Sequence, residues 1–213
     1  MTGKRLVSVA KSLNLPFPFK SLLLSNMKDI KAELFETKKD EAVVIYASHI
    51  LRTMISRPKC LENFMRVIKN LNPLIMIVIE IEANHNSPLF VNRFIEALIF
   101  HSAHYECVET CIKETDEARM AMETLFHVGI RNIIAEEGTE RTNRNVKMDV
   151  WRAFFKRYRM VEIKLSESSL YQASLVVKRF AWWSSSTLDK NGKCLIIGWK
   201  GTSFCSLSVW KFL

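Results

Sequence analysis

The stretch IVIEIEANHNSPLFVNRFIEAL, residues 77–98, joins the end of an apolar run to a group of polar residues and the start of a helix. The run at 74–81 is continuously apolar up to its last residues, which predicts a buried strand covered on both faces. Glu80 and Glu82 alternate along it, so they share one face at its carboxyl end. We therefore expect two carboxylates at one edge of a sheet.

A short polar knot follows this strand and consists of Asn84, His85 and Asn86. Ser87 and Pro88 come next, and a serine before a proline predicts a helix cap with proline in the first turn. The knot is thus expected to connect a parallel-type strand to a helix, at the edge where open α/β sheets bind ligands. It is a candidate site, and equally a turn fixed by side-chain hydrogen bonds to the backbone.

Strands and helices alternate on both sides of the knot. The hydrophobic pattern predicts helices at 3–14, 58–72, 88–111, 116–135 (broken or bent at Gly129), 146–159 and 168–181, and strands at 19–24, 41–48, 74–81 and 160–166. Alternation of this kind predicts a parallel sheet with crossover helices. A polar loop is expected from Ser184 to a turn at Asn191 and Gly192, before two closing strands in an antiparallel hairpin, an ending common to methyltransferase-like Rossmann folds.

Composition narrows the class of protein. Thirty-one basic against 22 acidic residues give a net charge of +9, which favours contact with polyanions such as nucleic acid. Five cysteines in apolar surroundings predict no disulfide framework and fit a reducing, intracellular compartment. No apolar run approaches the roughly 18 residues of a membrane span, and no signal peptide is recognisable. Because no GxGxxG turn occurs, we predict no bound cofactor.

Three constellations have both a functional and a structural interpretation. His104, Cys107 and Cys111 share a helix face, but a zinc site usually needs a fourth ligand from another segment, so we predict a core face and no metal. The helix at 146–159 is basic with interleaved aromatic residues; it is either a solvated face or a DNA contact. Its candidate DNA contacts are Arg152, Lys156, Arg157 and Arg159. Trp182 and Trp183 either anchor a partner protein or cover the sheet edge.

No nucleophile turn or catalytic triad is recognisable in the sequence. Glu80, Glu82 and His85 are the only grouping suited to acid–base chemistry. The alternative to a binding protein is therefore a small-molecule-dependent, methyltransferase-like enzyme or sensor that uses the edge near Glu82 and His85.

Three segments resemble the GRAS family of plant transcriptional regulators, of the scarecrow-like kind. IEIEANHNSPLFVNRFIEALIFHSAHYECVE resembles the family's Glu-x-Glu-Ala-Asn-His-Asn segment and the proline and Phe-Tyr parts of its PFYRE region. RNIIAEEGTERTNRN resembles the Ile-Ala-x-Glu-Gly stretch that follows, and WRAFFKRYRMVEIKLS, LIIGWKG and SLSVWKFL resemble the closing SAW region. The matching positions are Glu82, Asn84, His85, Asn86, Pro88, Phe100, Glu137, Gly138, Arg141, Trp151, Trp199 and Trp210. The chain departs from the family pattern at His101, Asn143 and Val209.

The resemblance implies a nuclear, non-catalytic regulator. Its expected partners are other GRAS proteins, DNA-binding transcription factors or corepressor-type proteins, with a homodimer or heterodimer as an option. It divides the chain into the end of the VHIID-flanking region with the strands and helices that follow it (1–73), a PFYRE-like region (74–145) and a SAW-like region (146–213). The implied fold is a methyltransferase-like Rossmann sheet with a C-terminal antiparallel hairpin. The family's N-terminal strand and helical cap have no counterpart here, so we expect marginal stability or self-association.

Overall fold

The computed structural model describes residues 2–38, 40–113 and 116–213. Within these ranges it contains six α-helices and six strands. The helices are α1 (Thr2–Ser12), α2 (Pro58–Asn70), α3 (Phe90–Cys111), α4 (Glu117–Ile134), α5 (Met148–Arg157) and α6 (Glu167–Arg179). The strands are β1 (Val44–Ser48), β2 (Ile75–Ile81), β3 (Met160–Ile163), β4 (Ser186–Asn191), β5 (Cys194–Trp199) and β6 (Thr202–Phe212).

All six strands form one sheet in the order β1-β2-β6-β5-β4, with β3 paired to the end of β6. The β1 and β2 strands are parallel and are connected through α2, as the alternation predicts. The other pairings are antiparallel, because β6 inserts between β2 and β5. Lys200 and Gly201 form the tight turn of the closing β5–β6 hairpin, which confirms that prediction. The expected parallel character is therefore limited to one strand pair.

The main core lies between one face of the sheet and helices α2 and α5. Met76 and Val78 on β2 are at most 2% exposed and belong to this core. The neighbouring β2 residues, such as Ile77, point to the other face and are only half-buried. The prediction of complete cover on both faces is thus wrong for this strand.

Several predicted boundaries differ from the structure. The expected strand at 19–24 is absent, and Leu23 is 96% exposed, because no neighbouring strand pairs with this segment in the described residues. Helix α3 begins at Phe90 rather than Pro88, since the Ser87 hydroxyl accepts a hydrogen bond from the Leu89 amide at 3.3 Å in a local turn. Helix α4 continues across Gly129, so the expected break is not found.

The polar segment before the Asn191-Gly192 turn is strand β4 and not a loop. Its backbone pairs with β5 from Ser186 to Asn191, and Gly192 has the positive φ of +63° that the tight turn requires. The turn prediction is therefore confirmed in position, while the strand before it was missed.

Candidate functional site

The polar knot of Asn84, His85 and Asn86 fastens a distant loop, residues 136–145, to the end of β2. The His85 amide donates to the Asn145 carbonyl at 3.0 Å, and the Asn145 side-chain amide lies 2.8 Å from His85 Nδ1. The Asn86 side chain accepts from Arg144 Nη1 at 3.1 Å. The Asn84 amide donates to Glu96 of α3 at 3.0 Å. The knot thus connects β2, α3 and the 136–145 loop.

Glu80 in β2 and Glu82 directly after this strand bind backbone amides at the starts of two helical turns. Glu80 is 1% exposed and accepts from the Leu51 amide at 2.8 Å. Both carboxylate oxygens of Glu82 lie 3.1 Å from the Met148 amide at the first turn of α5. Each carboxylate therefore satisfies an amide that has no partner within its own helix.

Burial dominates the protonation of both carboxylates. It raises the pKa of Glu80 to about 7, against the opposing hydrogen bonds from Leu51 and Arg52. It also raises the pKa of Glu82, against the hydrogen bond from the Met148 amide. An open cavity of about 340 Å³ lies beside Glu82 and Lys147. His85 is fully buried and does not line this cavity, so the acid–base grouping expected from the sequence does not converge on one space.

Three histidines, of which His85 belongs to the polar knot, pack together with aromatic rings. The rings of His85 and His101 stack at 6.0 Å between centroids, and His104 stacks on Phe204 at 3.5 Å. Phe100 contacts His85 edge to face at 5.1 Å, so this motif residue also lies in the cluster. Burial lowers the pKa of His85 to about 3 and that of His101 to about 4. These imidazoles are therefore uncharged near neutral pH.

The soft side chains of α3 do not converge with other ligands. The sulfur atoms of Cys107 and Cys111 lie 4.0 Å apart, and burial raises the pKa of the Cys107 thiol to about 12. In the part of the chain that the structure describes, no group of three or more His, Cys, Asp or Glu side chains is arranged to hold a metal ion. All five cysteines are free thiols.

Arg93 and Arg141 flank the carboxylate of Glu137. Arg93 is 1% exposed; its guanidinium donates to Glu137 and to the backbone carbonyls of Ser87 and Pro88, the latter two at 3.2 Å. Arg141 is 5% exposed and lies 3.9 Å from Glu137 through Nε. The structure therefore brings together the motif residues Pro88, Glu137 and Arg141, which are far apart in the sequence.

Sequence reasoning missed three residues of this site, namely Arg93, Arg144 and Asn145. Arg144 donates to the Asn86 side chain and to the carbonyls of Gly138 and Arg141, and thereby closes the 136–145 loop on itself. Gly138 has a φ of +54°, a conformation that favours glycine. The sequence did contain a signal for Arg93, which is the only charged residue in the middle of the apolar stretch FVNRFI. Because an apolar helix face rarely buries an unpaired charge, this arginine indicates a partner of opposite charge.

The three motif tryptophans, Trp151, Trp199 and Trp210, are core residues with exposures of 1–2%. Phe155 lies between the first and the last of them, with its ring centroid 6.0 Å from that of Trp151 and 4.5 Å from that of Trp210. The Trp210 indole donates to the Ser208 hydroxyl at 2.9 Å. Trp151 and Trp210 thus help to hold α5 against the sheet, and none of the three tryptophans forms an exposed surface.

The basic helix α5 offers fewer free cations than its sequence indicates. Arg152 is engaged by Glu162 and Asp149, both at 2.9 Å, and by the Asn191 side chain at 3.0 Å. It is therefore a structural link between α5, β3 and the β4–β5 turn. The other candidates, Lys156, Arg157 and Arg159, are exposed.

Helix α3 carries an exposed apolar face that the sequence did not reveal as a surface. The exposed side chains are Val91 (62%), Phe94 (41%), Ile95 (49%), Leu98 (56%) and Ile99 (56%). A groove of about 510 Å³ runs between α3 and α4, lined by Phe94, Leu98, Tyr105 and Ile130 among others. Contiguous exposed apolar surface on this scale is typical of sites that bind other proteins. None of the described helices has the length and apolarity needed to cross a membrane.

Comparison with known proteins identifies relatives over nearly the whole chain. A model of the GRAS domain family matches residues 1–211. DELLA protein 1 of Medicago truncatula is 28% identical over 222 residues, which cover 98% of this chain and 37% of that protein. DELLA protein RGL1 of Arabidopsis thaliana is 28% identical over 210 residues, covering 98% of this chain and 40% of the relative. The chain thus spans about two fifths of the length of these curated relatives.

A solved structure also has the same fold. The crystal structure of SCL7 in Oryza sativa superimposes with a TM-score of 0.88, at 24% identity, over 99% of this chain and 59% of that chain. This likeness confirms the predicted α/β, methyltransferase-like Rossmann architecture.

Proposed function

This chain belongs to the GRAS family, and from that premise we propose that it acts in plant transcriptional control, in the nucleus, through protein partners and not through catalysis. The partners we propose are other GRAS proteins and DNA-binding transcription factors. The matching relatives named DELLA proteins support the assignment to this class of plant proteins.

The exposed apolar face of α3 is the observation that supports partner binding. Val91 and Leu98 lie two turns apart on this helix and are each more than half exposed. Complete burial of one such side chain against a partner would contribute about 1.5–3 kcal/mol to binding. A partner that covers this face would recover that free energy.

The use of the polar residues supports a non-catalytic role. Glu80 and Glu82 are bound to backbone amides, and His85 is enclosed by Asn145 and aromatic rings. A general acid or base needs a clear path to the proton that it moves. Glu82 lines the open cavity but Glu80 and His85 do not, and all three side chains hold loops or helix starts in place.

Affinity purification of the chain from plant nuclei tests this proposal. We expect GRAS proteins or DNA-binding transcription factors, identified by mass spectrometry, to be recovered with the wild type and to be absent with the double variant Val91→Glu and Leu98→Glu. Val176→Glu is the matched control, because Val176 is 69% exposed on α6, away from α3. Recovery of no such partner, or equal recovery with both variants, would contradict the proposal.

Direct DNA contact is a second candidate, supported by three exposed cations at the end of α5 and directly after it. Changing Lys156, Arg157 and Arg159 together to Ala should weaken DNA binding and reduce the dependence of log K on log salt by about 0.9 for each phosphate that is no longer neutralised. Lys178→Ala with Arg179→Ala on α6 removes exposed charge elsewhere and is the control. If the dependence of log K on log salt is unchanged in the α5 variant, these cations face the solvent and do not contact DNA.

A further inference from the structure

Two arginines pair with one carboxylate beside the polar knot, and a third arginine lies next to them. Arg93 on α3 and Arg141 on the 136–145 loop approach Glu137 from the buried side, and Arg144 follows Arg141 on that loop. Glu137 is the only member of this arginine cluster that faces the solvent freely, with 64% of its side chain exposed. Arg93 and Arg141 therefore lie on the buried side of the cluster, and Glu137 lies on its solvent side.

The charges of the arginine cluster do not balance. Within residues 2–38, 40–113 and 116–213, Glu137 is the only acidic side chain that forms an ion pair with Arg93 or Arg141, while Arg144 binds backbone carbonyls and the neutral Asn86 side chain. Three positive charges thus face one negative charge. Burial lowers the pKa of Arg141, and the neighbouring charges of Arg144 and Arg93 lower it further, against the opposing effect of Glu137.

Two buried donors of the arginine cluster are also unused. The Nε atoms of Arg93 and Arg141 have no hydrogen-bond partner among the described residues, although both side chains are at least 94% buried. Buried donors of charged groups are normally satisfied, since each unsatisfied one costs about 1–3 kcal/mol or more. The site therefore has both spare charge and spare donors for an added acceptor.

We propose that the arginine cluster binds a phosphate dianion, either free or as a monoester, which displaces the Glu137 carboxylate. Guanidinium groups match phosphate oxygens through paired N–H donors, and a dianion neutralises the cluster better than one carboxylate does. Glu137 can rotate outward because it is exposed, and the adjacent Gly138 has no atom within 4 Å of the position of an added Cβ. This inference does not depend on a partner covering α3.

Calorimetric titration with inorganic phosphate, against chloride at matched ionic strength, tests the proposal. We expect saturable binding to the wild type. Glu137→Gln removes the competing carboxylate charge and should tighten binding about tenfold, whereas Arg144→Gln should weaken it about tenfold, as expected for charge-assisted hydrogen bonds. Glu136→Gln is the matched control for the first variant, because Glu136 lies next in the chain and pairs with Arg131 instead.

A peptide carrying phosphoserine distinguishes the source of the phosphate group. Tighter binding of this peptide than of inorganic phosphate supports a phosphorylated protein segment as the ligand, and equal or weaker binding supports free phosphate. In either case the side-chain Nε–H signals of Arg93 and Arg141 should shift in nuclear magnetic resonance spectra. Absence of phosphate binding to both the wild type and Glu137→Gln, or equal binding by Arg144→Gln, would overturn the proposal and leave the arginine cluster as a structural ion network.

Discussion

The guanidinium of Arg141 donates a hydrogen bond to the backbone carbonyl of His85 at 3.2 Å, across 56 positions of the chain. Because both residues are buried, this contact fixes the 136–145 loop to the end of β2 without competition from water. The same loop carries Glu137, so the position of the arginine cluster depends on this contact.

Replacing Arg141 with Lys should lower the free energy of unfolding by about 2–3 kcal/mol, since a lysine cannot bridge the His85 carbonyl and Glu137 with one planar group. Urea denaturation followed by circular dichroism measures the change. Arg131→Lys is the control, because the Arg131 side chain is 72% exposed and should alter stability by less than about 0.5 kcal/mol. Equal effects of the two variants would show that the buried contact contributes nothing.

His101 should make the fold sensitive to acid. Its pKa falls to about 4 in the folded chain, chiefly through burial and then through the charge of His104. A depressed folded pKa gives a contribution to stability that is complete above the ordinary value near 6.5 and is lost as the pH falls towards 4.

His101→Phe should therefore flatten the loss of stability between pH 6.5 and 4. It should also stabilise the fold by about 1 kcal/mol at pH 7, because neither ring nitrogen of His101 has a hydrogen-bond partner among the described residues. His127→Phe is the control, since His127 is exposed on the neighbouring helix α4. Melting curves of both variants across this range give the comparison, and parallel pH profiles for His101→Phe and the wild type would refute the prediction.

Glu80 should make the fold less stable as the pH rises, which is opposite to the effect of His101. Burial raises its pKa to about 7, so its contribution to stability is complete below the ordinary carboxyl value near 4.5 and is lost as the pH rises through 7. Glu80→Gln keeps an oxygen that can accept from the Leu51 amide but does not ionise. We expect this variant to gain stability relative to the wild type between pH 5 and 8, measured by urea denaturation at each pH. A constant difference across the range would mean that Glu80 does not titrate there.

The sequence predicted those elements whose signal is local. The apolar run of β2, the helical periodicity of α2 and the tight turns that flank β5 are each encoded by adjacent residues, and all are found. Strand β4 escaped prediction because its polar residues become ordered by pairing with β5. The segment 19–24 has strand-like composition but no strand beside it among the described residues. Tertiary context overrides propensity in both cases.

The candidate site was predictable only in part for the same reason. Asn86, Glu137 and Arg141 were identified by their motifs, but no local pattern indicates that they meet. The ion pair between Arg93 and Glu137 spans 44 positions, and the contact between Arg144 and Asn86 spans 58. Such contacts are set by how α3 and the 136–145 loop pack, which requires the complete fold.

Alanine substitutions at two glycines should change the stability of the fold in opposite directions, because Gly198 has no space for a side chain and Gly129 does. A Cβ on Gly198 would lie 2.3 Å from the Thr202 carbonyl oxygen and 2.7 Å from the Thr187 hydroxyl, at the irregularity in the β5–β6 pairing. Gly198→Ala must therefore displace backbone and should destabilise the fold by about 1–3 kcal/mol.

A Cβ on Gly129 would meet only the Asn143 side chain at 3.7 Å and the His101 ring at 3.8 Å, which are ordinary contact distances. Gly129 lies inside helix α4, where alanine is favoured over glycine by up to about 1 kcal/mol. We expect Gly129→Ala to raise the melting temperature by about 2–4 °C and Gly198→Ala to lower it by at least as much. Thermal melts of both variants provide the test. A destabilised Gly129→Ala would mean that α4 packs more tightly against His101 than these distances indicate, and an unchanged Gly198→Ala would mean that the β5–β6 pairing can shift without cost.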